Sequence, residues 1–226
     1  MDSKLHQAGL IIALALSCHA ATAQTHQQWR DSLDVINRKI ATTPYSSDLH
    51  LRKAAVNLEL EQWSYAVDEY SLILRMEPSN LAALFFRAYA NEQLRRLNLS
   101  RDDYEAFLKI APFHFEARLA LALVNEKMGR KTEAFDQLNR LVEMFPDSAN
   151  AYAARADYEH SQQMMETAEL DWKEAVRLKP DDTSFALSLV NLLLEQGKKQ
   201  EARRHLDLIS HKTGRAALRE WYEKVE

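Results

Sequence analysis

The chain of 226 residues holds one cysteine, Cys18, and that residue lies in an N-terminal apolar run. If the run is removed, disulfides, thiolate catalysis and cysteine-rich metal sites drop out together. Glycine is nearly as scarce. Four glycines are too few for a phosphate-cradling loop, and neither a nucleotide fingerprint nor a G-x-S-x-G elbow occurs. The eight histidines form no H-E-x-x-H, and no two stand i, i+4 on one helix beside a carboxylate. His205 and His211 are close in sequence, but one falls on a helix and the other near its frayed end, which is poor geometry for a metal. The acidic pairs Asp102–Asp103 and Asp181–Asp182 are sequence neighbours. Adjacent residues on a helix do not share a face, and the second pair lies in a turn, so paired acid/base work is not supported. No cofactor and no catalytic residue is expected.

An excess of positive charge is also missing. The formal net charge is −4, which argues against binding nucleic acid through its phosphates. The charge is uneven: residues 196–226 carry eight Lys/Arg against five Asp/Glu. Two readings stand, a solvated face on the last helices or a docking end for an acidic partner. With 46% hydrophobic residues, the chain has ample matter for a continuous core.

No apolar run is long enough to span a bilayer. Residues 8–23 as a helix would reach about 24 Å at ~1.5 Å per residue, short of the ~30 Å hydrocarbon core. Lys4, the apolar run Ala8–Ser17 and the small residues of Ala21-Thr22-Ala23 instead suit an export signal, residues 1–23, cleaved before Gln24. The alternative is a lipoprotein anchored through Cys18, although Ala15 stands where such sites usually carry Leu. The expected location is the bacterial periplasm, without membrane insertion of the mature chain.

What the chain does have is a period. All five prolines, Pro44, Pro78, Pro112, Pro146 and Pro180, are 34 residues apart, the mark of a repeat architecture. Five repeats follow: 47–80, 81–114, 115–148, 149–182 and 183–216. With positions numbered 1 to 34 in each, position 8 is Ala54, Ala88, Ala122, Ala156 and Val190, and position 20 is Ala66, Ser100, Ala134, Ala168 and Ala202. Large residues recur four places later, at Tyr70, Tyr104, Leu138, Trp172 and Leu206. Small residues where helices meet, and large ones on the same face, predict two helices per repeat, over positions 2–14 and 18–31. Gly129 and Gly197 at position 15 mark the break, and proline at position 32 stops the second helix. Arg87 and Arg155, at position 7, face Asp102–Asp103 and Asp171 on the partner helix, which predicts partly buried ion pairs that fix register.

This pattern resembles the tetratricopeptide repeat family, over about residues 27–216. Ala66 with Tyr70, Ala134 with Leu138, and Ala168 with Trp172 follow its Ala-x-x-x-aromatic spacing. The first helices depart from it, with His50, Leu84, Arg118, Tyr152 and Ala186 where the family favours Trp. The resemblance implies an all-α, right-handed α-solenoid of helix-turn-helix repeats that binds proteins.

Such an array needs caps. Trp29, Leu33, Ile36 and Ile40 form an apolar stripe in residues 24–46, which reads as a lone second helix capping the N-terminal end. Leu218, Trp221, Tyr222 and Val225, spaced i, i+3, i+4, i+7, make residues 217–226 the C-terminal cap.

The resemblance also places the working face on the first helices, at positions 2, 5, 9, 12 and 13. Leu51, Phe85, Tyr89, Leu119 and Leu123 are apolar there, with Glu126 on the rim, and the fourth repeat turns polar with Asp157 and His160. These residues are the candidate partner-binding set, and Tyr89 is the foremost of them. Family members that clamp C-terminal carboxylates carry Lys at position 5 and Asn at 9, and no repeat here has that pair. The competing reading is that Leu51, Phe85 and Leu119 simply pack between repeats. Two functions follow: an adaptor or scaffold of the cell envelope holding a protein or peptide partner in a concave groove, or a self-assembling accessory subunit that uses its ends.

Overall fold

The computed structural model describes residues 26–226, so the export-signal reading of residues 1–23 and the lipid-anchor reading of Cys18 lie outside the described residues. Within them the chain is all α: twelve α-helices, one short 3₁₀ turn and no strand. The helices are α1 His26–Thr42, α2 Ser47–Glu59, α3 Trp63–Met76, α4 Leu81–Gln93, α5 Leu97–Ile110 and α6 Phe115–Lys127. Then come α7 Lys131–Met144, α8 Ala149–Ser161, α9 Met165–Leu178, α10 Thr183–Glu195, α11 Lys199–Thr213 and α12 Arg219–Val225. No described helix is long and apolar enough to cross a membrane.

The chain divides into two compact bodies, at Arg130/Lys131. In the first, each helix from α1 to α6 packs on the next. Its core is built around Ala54, Ala66, Tyr70, Ile73 and Ala83, then Leu84, Ala88, Tyr104, Phe107 and Leu121. In the second, α7 to α12 pack in the same serial manner around Trp172, Leu189, Val190, Leu193, Leu206 and Tyr222. The alanines at positions 8 and 20 are at most 1% exposed, which lets paired helices approach closely.

First helices begin one residue earlier than the sequence spacing suggests, and side-chain caps explain it in most of them. Position 34 is the N-cap: Asn80 Oδ1 accepts from the Ala83 N–H at 3.0 Å, and Asp182 Oδ1 from Ser184 at 3.1 Å. His114 caps α6 by accepting the Ala117 N–H on Nδ1 at 3.2 Å. A ring nitrogen can accept only while unprotonated, and burial pushes the His114 pKa down, against the opposing pull of Glu116.

First helices end alike in all five repeats. The residue at position 15 is left-handed: Glu61 (φ 55°), Arg95 (φ 59°), Gly129 (φ 72°), Gln163 (φ 63°) and Gly197 (φ 75°). The following amide returns to the carbonyl at position 11, as in Gln62 to Asn57 (2.8 Å), Arg96 to Asn91 (2.8 Å) and Lys198 to Leu193 (2.8 Å). This is the Schellman closure of a helix C-terminus. Glycine therefore signals only two of five such turns. The second helices stop because the residue before each proline is pushed out of the helical region, as at Glu77 (φ −132°, ψ 78°) and Ala111 (φ −126°, ψ 74°).

The position 7 ion pairs form. Arg87 donates from Nε and Nη2 to the two oxygens of Asp103, at 2.8 and 2.6 Å, and from Nη1 to Ser71 Oγ at 3.1 Å. Arg155 repeats this with Asp171 (2.6 and 2.8 Å) and Asn139 (3.1 Å). Each guanidinium so ties three successive helices. Asp102 does not take part: it projects outward to Arg101, because position 22 lies on the outer face of that helix while position 23 points inward.

At the C-terminal end, Gly214 (φ 80°) breaks α11, a 3₁₀ turn spans Arg215–Leu218, and α12 follows. Leu218, Tyr222 and Val225 are buried, with Trp221 packed at their edge. The Tyr222 hydroxyl donates to Asp207 Oδ1 at 2.8 Å, and the Arg215 guanidinium sits 4.4 Å from its ring centroid.

Candidate functional site

In the first body the residues at position 9 point outward from consecutive first helices: Tyr89 on α4 is 39% exposed and Leu123 on α6 is 44% exposed. An outward apolar side chain has to be accounted for, because burial would have stabilised it by roughly 1.5–3 kcal/mol. The residues at position 5 behave differently. Phe85 is half-buried, with Tyr104, Phe107 and Phe86 edge-on around it at centroid distances of 5.4–5.8 Å. Leu51 packs against the core of α2–α4, and Leu119 is half-buried. Phe85 and Leu51 thus pack between helices, while Tyr89 and Leu123 offer free surface.

The rim is polar. Lys127 Nζ donates to Glu92 Oε1 at 2.5 Å, bridging α6 to α4 beside Tyr89 and Leu123. Glu126 is half-buried on the same helix as Lys127. Trp63, the first residue of α3, meets Tyr89 edge-on, with centroids 5.9 Å apart and planes at 83°. The sequence reading missed Trp63 as a site residue because it begins a second helix. The available signal was its place at position 17, next to the turn that closes the first helix.

Asp157 and His160 belong to the second body. Asp157 is partly exposed on α8, and partial desolvation of its carboxyl raises its pKa, with His160 opposing. His160 Nε2 lies 2.6 Å from Glu195 Oε2, and Asn191 Nδ2 donates to Glu195 Oε1 at 2.7 Å. This first-helix face is hydrophilic, with no counterpart to Tyr89 or Leu123. His160–Glu195 and Glu92–Lys127 occupy the same repeat positions, 12 and 13 of the next repeat, so a polar bridge recurs with different chemistry.

No group of three or more His, Cys, Asp or Glu among the described residues could hold a metal ion. Tyr70 and Tyr104, the large hydroxyl-bearing rings of the first body, are buried, and desolvation drives their pKa values far up, so they remain neutral core residues.

Comparison with known proteins agrees with this architecture. The model of the tetratricopeptide repeat family matches residues 51–114, 99–149 and 119–183, together more than half of the chain. A search of curated proteins finds no significant match. Among solved structures, a tetratricopeptide repeat protein from Parabacteroides merdae aligns with TM-score 0.68 at 14% identity, over 93% of this chain and 79% of that one. MamA from Desulfovibrio magneticus aligns with TM-score 0.62 at 19% identity, over 73% of this chain and 93% of that one. YrrB, described as having an unusual peptide-binding site, aligns with TM-score 0.57 at 14% identity, over 79% and 93%. At these identities the likeness is one of fold.

Proposed function

The chain belongs to the tetratricopeptide repeat family, and from that premise we propose that it is a non-catalytic adaptor that holds a partner polypeptide on the first-helix face around Tyr89 and Leu123. Tetratricopeptide repeat proteins are in general interaction modules, and stacked helix pairs present first helices side by side as a binding surface. The observation that carries the proposal is the outward pair Tyr89 and Leu123, exposed beside the Glu92–Lys127 bridge on a face whose neighbours Phe85 and Leu51 are packed. A large amphipathic ring in a polar rim is how interfaces concentrate affinity. The peptide-binding site named for YrrB supports the same use of a similar fold. We extend the proposal to the bacterial envelope on the sequence of residues 1–23 alone.

The experiment is affinity capture from envelope extracts with the wild-type chain, Tyr89→Ala, Leu123→Ala and Tyr158→Ala. Tyr158 is 6% exposed and its hydroxyl donates to the Lys131 carbonyl at 2.8 Å, so it stands for a core change. Tyr89→Ala should keep the melting temperature and weaken capture by roughly 1–3 kcal/mol. Tyr158→Ala should lower the melting temperature first. If Tyr89→Ala melts as low as Tyr158→Ala, or captures as well as wild type, the face is not the binding site. Variants of α1 or α12 that alter mass in solution would move the function to the ends.

A further inference from the structure

The turn between α2 and α3 sets two carboxylates beside the groove aromatics. Glu59 is the last residue of α2, Glu61 is the left-handed residue after it, and Trp63 opens α3. Glu61 is exposed and Glu59 half-buried. The Glu61 backbone N–H donates to the Leu58 carbonyl at 3.0 Å, but neither carboxylate takes part in a side-chain hydrogen bond or ion pair among the described residues. Both act on the Tyr89 hydroxyl. Its pKa is raised first by burial and then by the fields of Glu92, Glu59 and Glu61. Glu92 is already neutralised by Lys127 at 2.5 Å. What remains is a corner of two aromatic rings, 5.9 Å apart and nearly perpendicular, with two uncompensated negative charges.

We propose that the corner formed by Trp63, Tyr89, Glu59 and Glu61 receives an arginine side chain of the bound partner. The proposal rests on the groove reading above and specifies the chemistry of its occupant. Three physical points select this group. A guanidinium is attracted to the faces of Trp and Tyr, and more so where water is partly excluded. Its planar fork pairs with carboxylates while stacking on rings, which a lysine ammonium does less well. An acidic or neutral segment would leave Glu59 and Glu61 close to an apolar surface without compensation, so the corner discriminates as well as binds. The partner segment is therefore basic, with apolar side chains at the end that reaches Leu123.

The test uses the full chain and two ten-residue peptides of one sequence, Gly-Ser-Leu-Arg-Ala-Leu-Arg-Leu-Ser-Gly, blocked at both ends. The second peptide carries citrulline, the neutral isostere, in place of each arginine. Calorimetric titration should give at least tenfold tighter binding for the arginine peptide. In the double variant Glu59→Gln, Glu61→Gln that preference should fall to about twofold or less, with the citrulline peptide unaffected and the melting temperature kept. Tyr89→Ala should weaken both peptides. Equal affinity of the two peptides for the wild-type chain, or an arginine preference that survives the double variant, overturns the proposal. So does the absence of binding by either peptide up to about 1 mM. If both bind equally and both are lost with Tyr89→Ala, the groove reading holds and only the arginine assignment fails. If the preference depends on Glu59 and Glu61 but capture of the envelope partner ignores Tyr89→Ala, the corner is a cation site and the groove function fails.

Discussion

At the scale of single residues, the left-handed position after each first helix is unevenly filled. Gly129 and Gly197 adopt it without cost to a side chain, whereas Glu61, Arg95 and Gln163 hold a Cβ against the carbonyl. Replacing Arg95 or Gln163 by glycine relieves that strain but loosens the unfolded chain, leaving a net gain of about 0.5–1 kcal/mol each. Chemical denaturation of the two single variants checks this, and an unchanged midpoint would mean the turn is unstrained. Glu159 gives a different kind of prediction. It is 3% exposed, and its Oε2 has no hydrogen-bond partner among the described residues. Burial, then Asp171, push its carboxyl up to about 7, against a Thr167 hydrogen bond and Arg155. A carboxyl raised in the folded state stabilises when protonated. That contribution is complete below about pH 4.5 and is lost as pH rises through 7. Glu159→Gln should flatten the melting temperature between those limits, a difference on the order of 1–2 kcal/mol at pH 8. A wild-type profile that is flat over this window, or a slope that persists in Glu159→Gln, would show that the carboxyl is solvated. Neither feature was legible in the sequence. Glutamate at 61 carries no turn signal, and an acidic residue at position 11 reads as surface until Asp171 and Arg155 are placed beside it.

At the scale of elements, the small-large alternation made the helix pairs legible, because Ala54, Ala66 and Tyr70 report burial through size alone. The proline period fixed where second helices stop. The first helices were harder. Their proposed binding face depends on which of two apolar positions is covered, and Phe85 and Tyr89 look alike in sequence. Only the ring cluster of Tyr104 and Phe107 separates them. The Arg87–Asp103 pair was readable in outline, since positions 7 and 23 carry opposite charges in three repeats, where they pair as Lys53–Glu69, Arg87–Asp103 and Arg155–Asp171. Removing one partner should be costly and removing both should not. Arg87→Met leaves Asp103 buried without a counter-charge, a loss of about 2–4 kcal/mol. The double variant Arg87→Met, Asp103→Leu should recover most of it. Urea denaturation of the three proteins decides the matter. A double variant as unstable as the single one would mean that the pair is needed for packing as well as for charge.

At the scale of the whole molecule, helices within each body contact their sequence neighbours, so damage should stay local. Deleting Leu218–Glu226 uncovers the faces of α10 and α11 that bury Tyr222 and Val225, with a loss of several kcal/mol at roughly 25 cal/mol per Å². Hydrogen exchange should show lost protection in α10 and α11 first, with α2 and α3 unaffected. Protection lost evenly along the chain would show a single cooperative fold. The caps at position 34 have a further consequence. Asn80 and His114 do the same work at the same joint, each offering an acceptor to the third amide of the helix that follows. Excising residues 81–114 would join Asn80 to Phe115 and leave the junction chemically intact. Interchangeable joints make the reach of such a protein a counted quantity. A lineage can lengthen or shorten it in whole steps by duplicating or dropping one segment of gene, with no new turn to invent.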